Sequence, residues 1–413
     1  MNPPAERRPL KLLATNQVVS NLFGDLTDAF VDYCDEVCLL AGYLAAGKGR
    51  DRFEWIRACP LQKAPAWKRI WTWCVFTVQA VLAMVRHRNH FLFLVTNPPL
   101  VPWVAPLVKR LLGIRYAVLV YDVYPDVMAR MNMIRPGGWI DRFLRRASAR
   151  SLLEAEVVFT IGNCMKETFL AHLPPGREVP VVVIPNWADT EYVKPIPRGD
   201  NPFAREQGLE KKFVVMYSGT FGATHDIESI VDAAEMCQDL AGVRFVLIGG
   251  GTREEEVRQY VQRKALPNLV LLPWEPPERV PFSVTSADCL IVSLDEAYAG
   301  ISVPGKTYTC LAAGAAILAV SPPGTEIVDL VREHECGIWV RPRSADDLAA
   351  AVRTLYGDPE RLKRLQKNAR AAAEQHYTIR ICTRHYVEAL MPVIRRAAEA
   401  QVPRVQGRPP ALP

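Results

Sequence analysis

The residues with the most chemistry to offer stand in one stretch, Asp295-Glu296-Ala297-Tyr298-Ala299-Gly300-Ile301-Ser302-Val303-Pro304-Gly305-Lys306-Thr307-Tyr308. It joins two carboxylates, several small residues and a lysine, and the Ala-rich segment Cys310-Leu311-Ala312-Ala313-Gly314 follows. A lysine near a helix start can neutralise a diphosphate leaving group, because ammonium and helix N-terminus both favour negative charge. An ordinary surface lysine on an exposed loop is the competing reading. A second candidate is Ser218-Gly219-Thr220-Phe221-Gly222-Ala223-Thr224-His225-Asp226. Its small residues let a ligand approach the backbone, and Asp226 reads as the N-cap of a helix carrying Ile227, Ile230, Val231 and Ala234 on one face. That is a workable phosphate cradle, or a plain tight turn.

Two further places matter. Gly249-Gly250-Gly251 leads into Thr252-Arg253-Glu254-Glu255-Glu256. Three acids suit the first turn of a helix but repel phosphate, so this reads as a structural turn near a base or ribose. It lacks the G-x-G-x-x-G spacing of dinucleotide sites. In the first half, Tyr121-Asp122-Val123-Tyr124-Pro125-Asp126 follows an apolar run. Asp122 there could hold sugar hydroxyls or take a proton, while Asp126 serves equally well as a helix cap. Ser20-Asn21-Leu22-Phe23-Gly24-Asp25 offers another glycine loop.

These places all follow apolar runs, where ligands of open α/β sheets bind. The runs read as buried parallel strands are 91–95, 117–120, 157–161 and 181–184, then 213–217, 245–248, 269–272, 289–292 and 316–320. Helical patterns fall between them. The expected fold class is α/β, with two doubly wound Rossmann-like domains and a crevice between them. The expected divisions are an N-terminal domain over 1–197, a C-terminal domain over 198–378, a helix over 379–400 packing back on the first domain, and a disordered tail over 401–413.

Charge is uneven. The 413 residues carry a formal net +6, yet residues 48–150 alone hold 18 basic and 5 acidic side chains, a net +13. A one-sided excess implies an anionic partner. Two uncharged runs, Ile70–Val85 and Phe91–Val108, lie within it. Both are short or polar for a bilayer span of about 20 apolar residues, and a Trp-bearing helix flanked by Lys and Arg suits a membrane interface. A core helix of a large α/β domain is the alternative. Nucleic acid is not an expected partner, since no recognised motif accompanies the charge. The ten cysteines make no C-x-x-C pair, and Cys34 and Cys38 stand at helical spacing. They read as reduced thiols of a cytosolic chain, peripheral to the inner membrane face, with no structural zinc site and no Asp-x-Asp metal motif.

Taken in order, Thr96-Asn97-Pro98-Pro99, Asp122-Val123-Tyr124-Pro125-Asp126, Ile184-Pro185-Asn186-Trp187, Tyr217-Ser218-Gly219 and Ser302-Val303-Pro304-Gly305-Lys306-Thr307-Tyr308 with Leu311-Ala312-Ala313-Gly314 resemble glycosyltransferase family 4, with the GT-B fold. The resemblance is nearest to WbuB-like bacterial surface-polysaccharide sugar transferases and runs from Asn16 to Tyr377. It implies a nucleotide-sugar donor, UDP-linked, on the C-terminal domain. It implies a lipid-linked saccharide acceptor on the N-terminal domain and net retention at the anomeric carbon. No metal or other cofactor is expected. Gly219 matches the family's diphosphate loop, Lys306 its donor-site lysine and Gly24 its first glycine loop. Thr220 and His225 align with an Arg and a Lys of many members, and Tyr121 stands where many have histidine. The paired glutamates of many members are missing; Glu296 or Glu326 would supply a carboxylate instead. The expected catalytic set is therefore Asp122, Glu296 and Lys306. The donor set adds Gly249, Trp274 and Ser302, and the acceptor set is Asp25 and Asp126. A GT-B nucleotide-sugar epimerase and a non-catalytic nucleotide-sugar-binding protein stay open as alternatives.

Overall fold

The computed structural model describes residues 8–400 except 48, 63, 223 and 224; the tail 401–413 lies outside the described residues. The first sheet is built from β1 (Lys11–Thr15), β2 (Glu36–Ala41), β3 (Glu54–Arg57), β4 (Phe91–Val95), β5 (Tyr116–Val120), β6 (Val158–Thr160) and β7 (Val181–Val183). Its order is β3-β2-β1-β4-β5-β6-β7, all parallel. The second contains β8 (Phe213–Thr220), β9 (Val243–Gly250), β10 (Leu269–Leu272), β11 (Cys289–Ser293), β12 (Ala316–Val320) and β13 (Gly337–Val340). Its order is β10-β9-β8-β11-β12-β13, again parallel. Both sheets reverse direction beside their first strand, which opens a crevice at the carboxyl ends of β1 and β4 and of β8 and β11.

The central strands β4, β5, β11 and β12 are buried at every residue. That is why their sequences are unbroken apolar runs: a parallel strand covered on both faces has no solvent side. The helices that matter below are α1 (Asn21–Val31), α2 (Ala66–Arg86), α3 (Leu100–Leu112), α4 (Trp139–Glu154), α5 (Asn163–Leu170), α6 (Glu228–Met236), α7 (Lys306–Ala312), α8 (Glu326–Glu333), α9 (Pro359–His376) and α10 (Ile379–Ala400). The chain crosses to the second sheet after β7 and returns through α10. Tyr386 of α10 is fully buried, 5.1 Å from the Phe159 ring of β6 and 6.2 Å from Trp187.

Several sequence readings need correction. Strands β1, β2, β3 and β13 carry no long β-branched run and were not expected. Cys34 and Cys38 do not share a helix: Cys34 ends the turn after α1 and Cys38 lies in β2. Ser20–Asp25 is not a loop either. Gly24 sits inside α1, where a Cβ would stand 2.3 Å from Arg50 Cζ; the glycine makes room for that guanidinium. Strands β8 and β9 extend into their glycines, pairing Gly219 with Gly249 and Thr220 with Gly250.

Position 249 admits glycine alone. Its φ is +153°, and a Cβ there would lie 1.9 Å from the Gly219 carbonyl oxygen. Gly249→Ala is expected to destabilise the protein by about 1–3 kcal/mol, through overpacking and backbone strain. Gly357→Ala, at the open end of a helix with nothing within 4 Å, should be neutral or slightly stabilising. Urea melts of the two variants check this.

Candidate active site

The site grows from the end of β8. Lys306, the first residue of α7, lays its ammonium 3.7 Å from the centroid of the Tyr217 ring. Its Nζ is buried and has no hydrogen-bond partner among the described residues. Burial pushes the group down to about 7. Gly219 lies beside it, where a Cβ would come 2.5 Å from Nζ. A cation over an aromatic face, beside bare backbone, can receive an anion that the protein itself does not supply. The Tyr217 hydroxyl is held elsewhere, donating to the Thr220 carbonyl at 2.8 Å.

His225 closes the next side. Its Nδ1–H donates to the Ser293 carbonyl at the end of β11, 2.8 Å away, so the bond spans the crevice between β8 and β11. Burial, reinforced by Lys306, pushes the imidazole down to about 4. The ring is neutral, and Nε2 carries a lone pair. Asp226 caps α6 by accepting from Ser229 N at 3.2 Å, and its second oxygen accepts from Arg343 N. Ala223 and Thr224 of this loop lie outside the described residues. Trp274, beyond β10 and half exposed, stands over Gly250, where a Cβ would meet its Nε1 at 3.0 Å.

The opposite wall belongs to the first domain. Val123 N donates to the Ile301 carbonyl at 3.2 Å, which fastens the Asp122 loop to the segment before Lys306. Ser302 beside Asp122 favours the ionised form, yet burial outweighs this and pushes the Asp122 carboxyl up to about 6. Asp122 is therefore a base at neutral pH with an affinity for a proton higher than usual. It stands across the seam from a segment that ends in Lys306.

The other expected site residues fall in different places. Asp126 gives both oxygens to Arg145, at 3.0 and 3.3 Å, with His172 beside them, so it is not free to meet an acceptor. Glu296 is exposed on a short turn capped by Asp295, whose carboxylate also holds Arg343 at 2.8 Å. Glu326 points into the seam: Oε1 accepts from Cys164 N at 2.7 Å and Met165 N at 3.3 Å, at the N-terminus of α5. It ties the two domains together. Asp25 pairs with Arg50 at 2.8 Å, and burial raises its carboxyl above the usual range.

Sequence reasoning gave no role to Tyr217, Tyr121 or Asn186. The buried Tyr121 hydroxyl and Asn186 Oδ1 are unpartnered among the described residues. Asn186 sits in Ile184–Trp187, a motif that marked the family resemblance without indicating a task. Its amide faces Gly305, where a Cβ would lie 3.9 Å from Nδ2.

Comparison with known proteins bears on the family and the fold. Residues 19–187 match the glycosyl transferase 4-like domain, and residues 200–372 match glycosyl transferases group 1. The probable glycosyltransferase WbjE of Pseudomonas aeruginosa is 28% identical over 72% of this chain and 74% of its own length. The putative colanic acid biosynthesis glycosyl transferase WcaI of Escherichia coli is 22% identical over 60% and 61%. Anabaena HepE in complex with UDP superposes with a TM-score of 0.71 at 16% identity, covering 93% of this chain and all of that one. The fold is GT-B, and with glycosyltransferase models matching both halves the chain belongs to glycosyltransferase family 4.

Proposed function

We propose that this chain is a retaining transferase that moves a sugar from a UDP-sugar to a saccharide carried on a polyprenyl diphosphate lipid, in the assembly of a bacterial surface polysaccharide. The buried, unpartnered Lys306 ammonium carries the reading: it supplies the charge that a departing diphosphate needs. UDP in the HepE complex favours the donor class, and the colanic acid named for WcaI favours the polysaccharide setting. In this reading Gly219 and Gly249 let the diphosphate approach the strand ends. Asp122 orients the acceptor hydroxyl by accepting its hydrogen bond. No strong nucleophile is needed, because the hydroxyl attacks from the face the diphosphate leaves and a diphosphate oxygen accepts the proton. Positioning and fixed charge do the catalysis, and no divalent metal takes part. Mass spectrometry of the protein with a panel of nucleotide-sugars and bacterial lipid extract tests this. A lipid product heavier by one sugar is expected, without added magnesium or manganese. Epimerised donor alone, or strict dependence on either ion, would overturn it.

Lys306→Ala should lower turnover by roughly 10²–10³ with the fold intact. The acid–base sign is fixed by the two groups. Asp122 must be ionised and Lys306 protonated, so kcat/KM should fall below about pH 6 and again above about pH 7. Lys306→Arg should carry the basic limb upward, since a guanidinium stays charged. A basic limb unmoved in that variant would take Lys306 out of the site.

The membrane part of the proposal rests on an apolar face across α2, α3 and α4. Trp67, Ile70, Trp71, Val78, Leu82 and Val85 line the outer side of α2, joined by Leu107 and Leu111 of α3 and by Trp139 and Phe143 of α4. Trp139 is 74% exposed, and Arg135, Arg142 and Arg146 around it are exposed too. Among the described residues no helix is long and apolar enough to cross a membrane. Basic residues gain about 1 kcal/mol each near an anionic surface, and the aromatic side chains add burial. The protein should sediment with anionic liposomes at low salt. Reversing Arg135, Arg142 and Arg146 to Glu should weaken this and spare UDP binding. No sedimentation of the wild type would sink the interface.

A further inference from the structure

At the end of the first sheet away from the crevice, four side chains from a strand, a helix end and a turn converge. Glu36 and Cys38 alternate on one face of β2; His87 caps the C-terminus of α2, and His90 precedes β4. The strand register puts them at the amino edge, with Lys11 paired to Glu36 and Leu12 to Phe91. One ligand atom from each of Glu36, Cys38, His87 and His90 lies within 4.8 Å of the others. Glu36 Oε1 is 3.2 Å from His90 Nε2, and Cys38 Sγ is 3.8 Å from Glu36 Oε1 and 3.9 Å from His90 Nε2. Zinc with bonds of about 2.0–2.3 Å needs tetrahedral edges of roughly 3.3–3.6 Å. Three corners therefore stand near their places, and His87, whose ring meets His90 edge-on with centroids 4.8 Å apart, supplies the fourth by a small rotation.

We propose that Glu36, Cys38, His87 and His90 form a structural site for a divalent metal ion of the zinc class. Thiolate and imidazole donors select zinc over magnesium or calcium. The surroundings fit ligation. Lys11 holds Glu36 Oε2, which leaves Oε1 for the ion. Glu54 Oε2, paired to Cys38 in the register, lies 3.3 Å from its sulfur. The ring of His90 is 4% exposed, and its Nδ1 has no partner among the described residues. On binding, the S–H bond of Cys38 breaks and a sulfur–metal bond forms; the proton leaves by Glu54 to water. Four protein ligands fill a tetrahedron, and the site lies far from the crevice, so its work is mechanical. It pins the end of α2 to β2 and to the turn before β4. The proposal is independent of the transferase reading.

The test uses the full chain, freed of metal by dialysis against chelator and titrated with cobalt(II). Tetrahedral d–d bands with a thiolate-to-cobalt charge-transfer band are expected, saturating at one ion per chain and bleached by zinc. Cys38→Ser should abolish the charge-transfer band; Cys74→Ser, at an exposed cysteine of α2, should keep it. His87→Ala should weaken binding at least tenfold. Zinc should also raise the midpoint of thermal unfolding in the wild type, and magnesium should not. Octahedral bands only, or a charge-transfer band that survives in Cys38→Ser, would overturn the site. Should Cys38→Ser fail to fold by circular dichroism, the wild-type spectrum and His87→Ala, at a half-buried position, decide the question.

Discussion

An ammonium group kept from water, with no counter-ion among the described residues, is a costly thing to build, and the second domain holds one at the end of its first strand. Taking a charge out of water costs several kcal/mol even after relaxation. The Tyr217 face returns a part of that, and the rest appears as the fall of Lys306 toward neutral pH. A bound diphosphate would reverse the balance, because an anion at the same place favours the protonated form. The small residues nearby follow from this. Gly219 leaves Lys306 its space, and Gly249 leaves the Gly219 carbonyl its space, so two strands carry their ladder to the edge of the crevice with no side chain of their own at that pair.

The same crevice needs its second wall at a fixed distance, and three contacts set it. Val123 reaches Ile301 through the backbone, Ser302 reaches Asp122, and Glu326 caps α5 of the other domain. The last is a carboxylate at two helix N-termini at once, its own and that of α5, where both dipoles favour it. A carboxylate that had been a candidate for sugar contact thus acts as a clasp. Arg370 of α9 adds a fourth tie, donating to the carbonyls of Thr190, Val193 and Ala312 and so fixing the crossing segment to α7. Apolar packing adds to these ties, since one continuous hydrophobic cluster takes in residues of both sheets, Val120 and Val214 among them.

How much of this was legible depended on where the information lay. The second sheet was readable because Phe213–Tyr217, Phe245–Ile248 and Ala316–Val320 are buried on both faces and so continuously apolar. Strand β2 was not, because Glu36 and Cys38 point at a polar cluster and break the run, while its leucines and alanine suit a helix as well. Gly24 looked like a loop glycine because its cause, the Arg50 side chain, lies 26 residues on in sequence and touches only in the fold. Lys306 was found through its motif. Tyr217 was not, since an aromatic residue in a strand reads as core until something polar is laid on it. Glu36, Cys38, His87 and His90 have no familiar ligand spacing, because two come from a strand, one from the end of a helix and one from the turn before another strand.

The apolar face and the crevice are one arrangement seen from two ends. Helix α2 ends four residues before β4 begins, so its C-terminus lies at the amino edge of the sheet. Twenty-one residues at about 1.5 Å each carry its N-terminus about 31 Å back, to the carboxyl edge where the crevice opens. Trp67 and Trp71 are at that end. Arg69 beside them donates to Met131, and Trp73 packs edge-on against Tyr124, two residues from Asp122. The face that would meet lipid therefore borders the loop that holds Asp122. An acceptor anchored in a bilayer could keep its lipid among those side chains and still bring its sugar to Asp122, whereas a soluble acceptor would have no use for an apolar rim there. The rim's position, more than its size, is what favours the proposed lipid-linked acceptor.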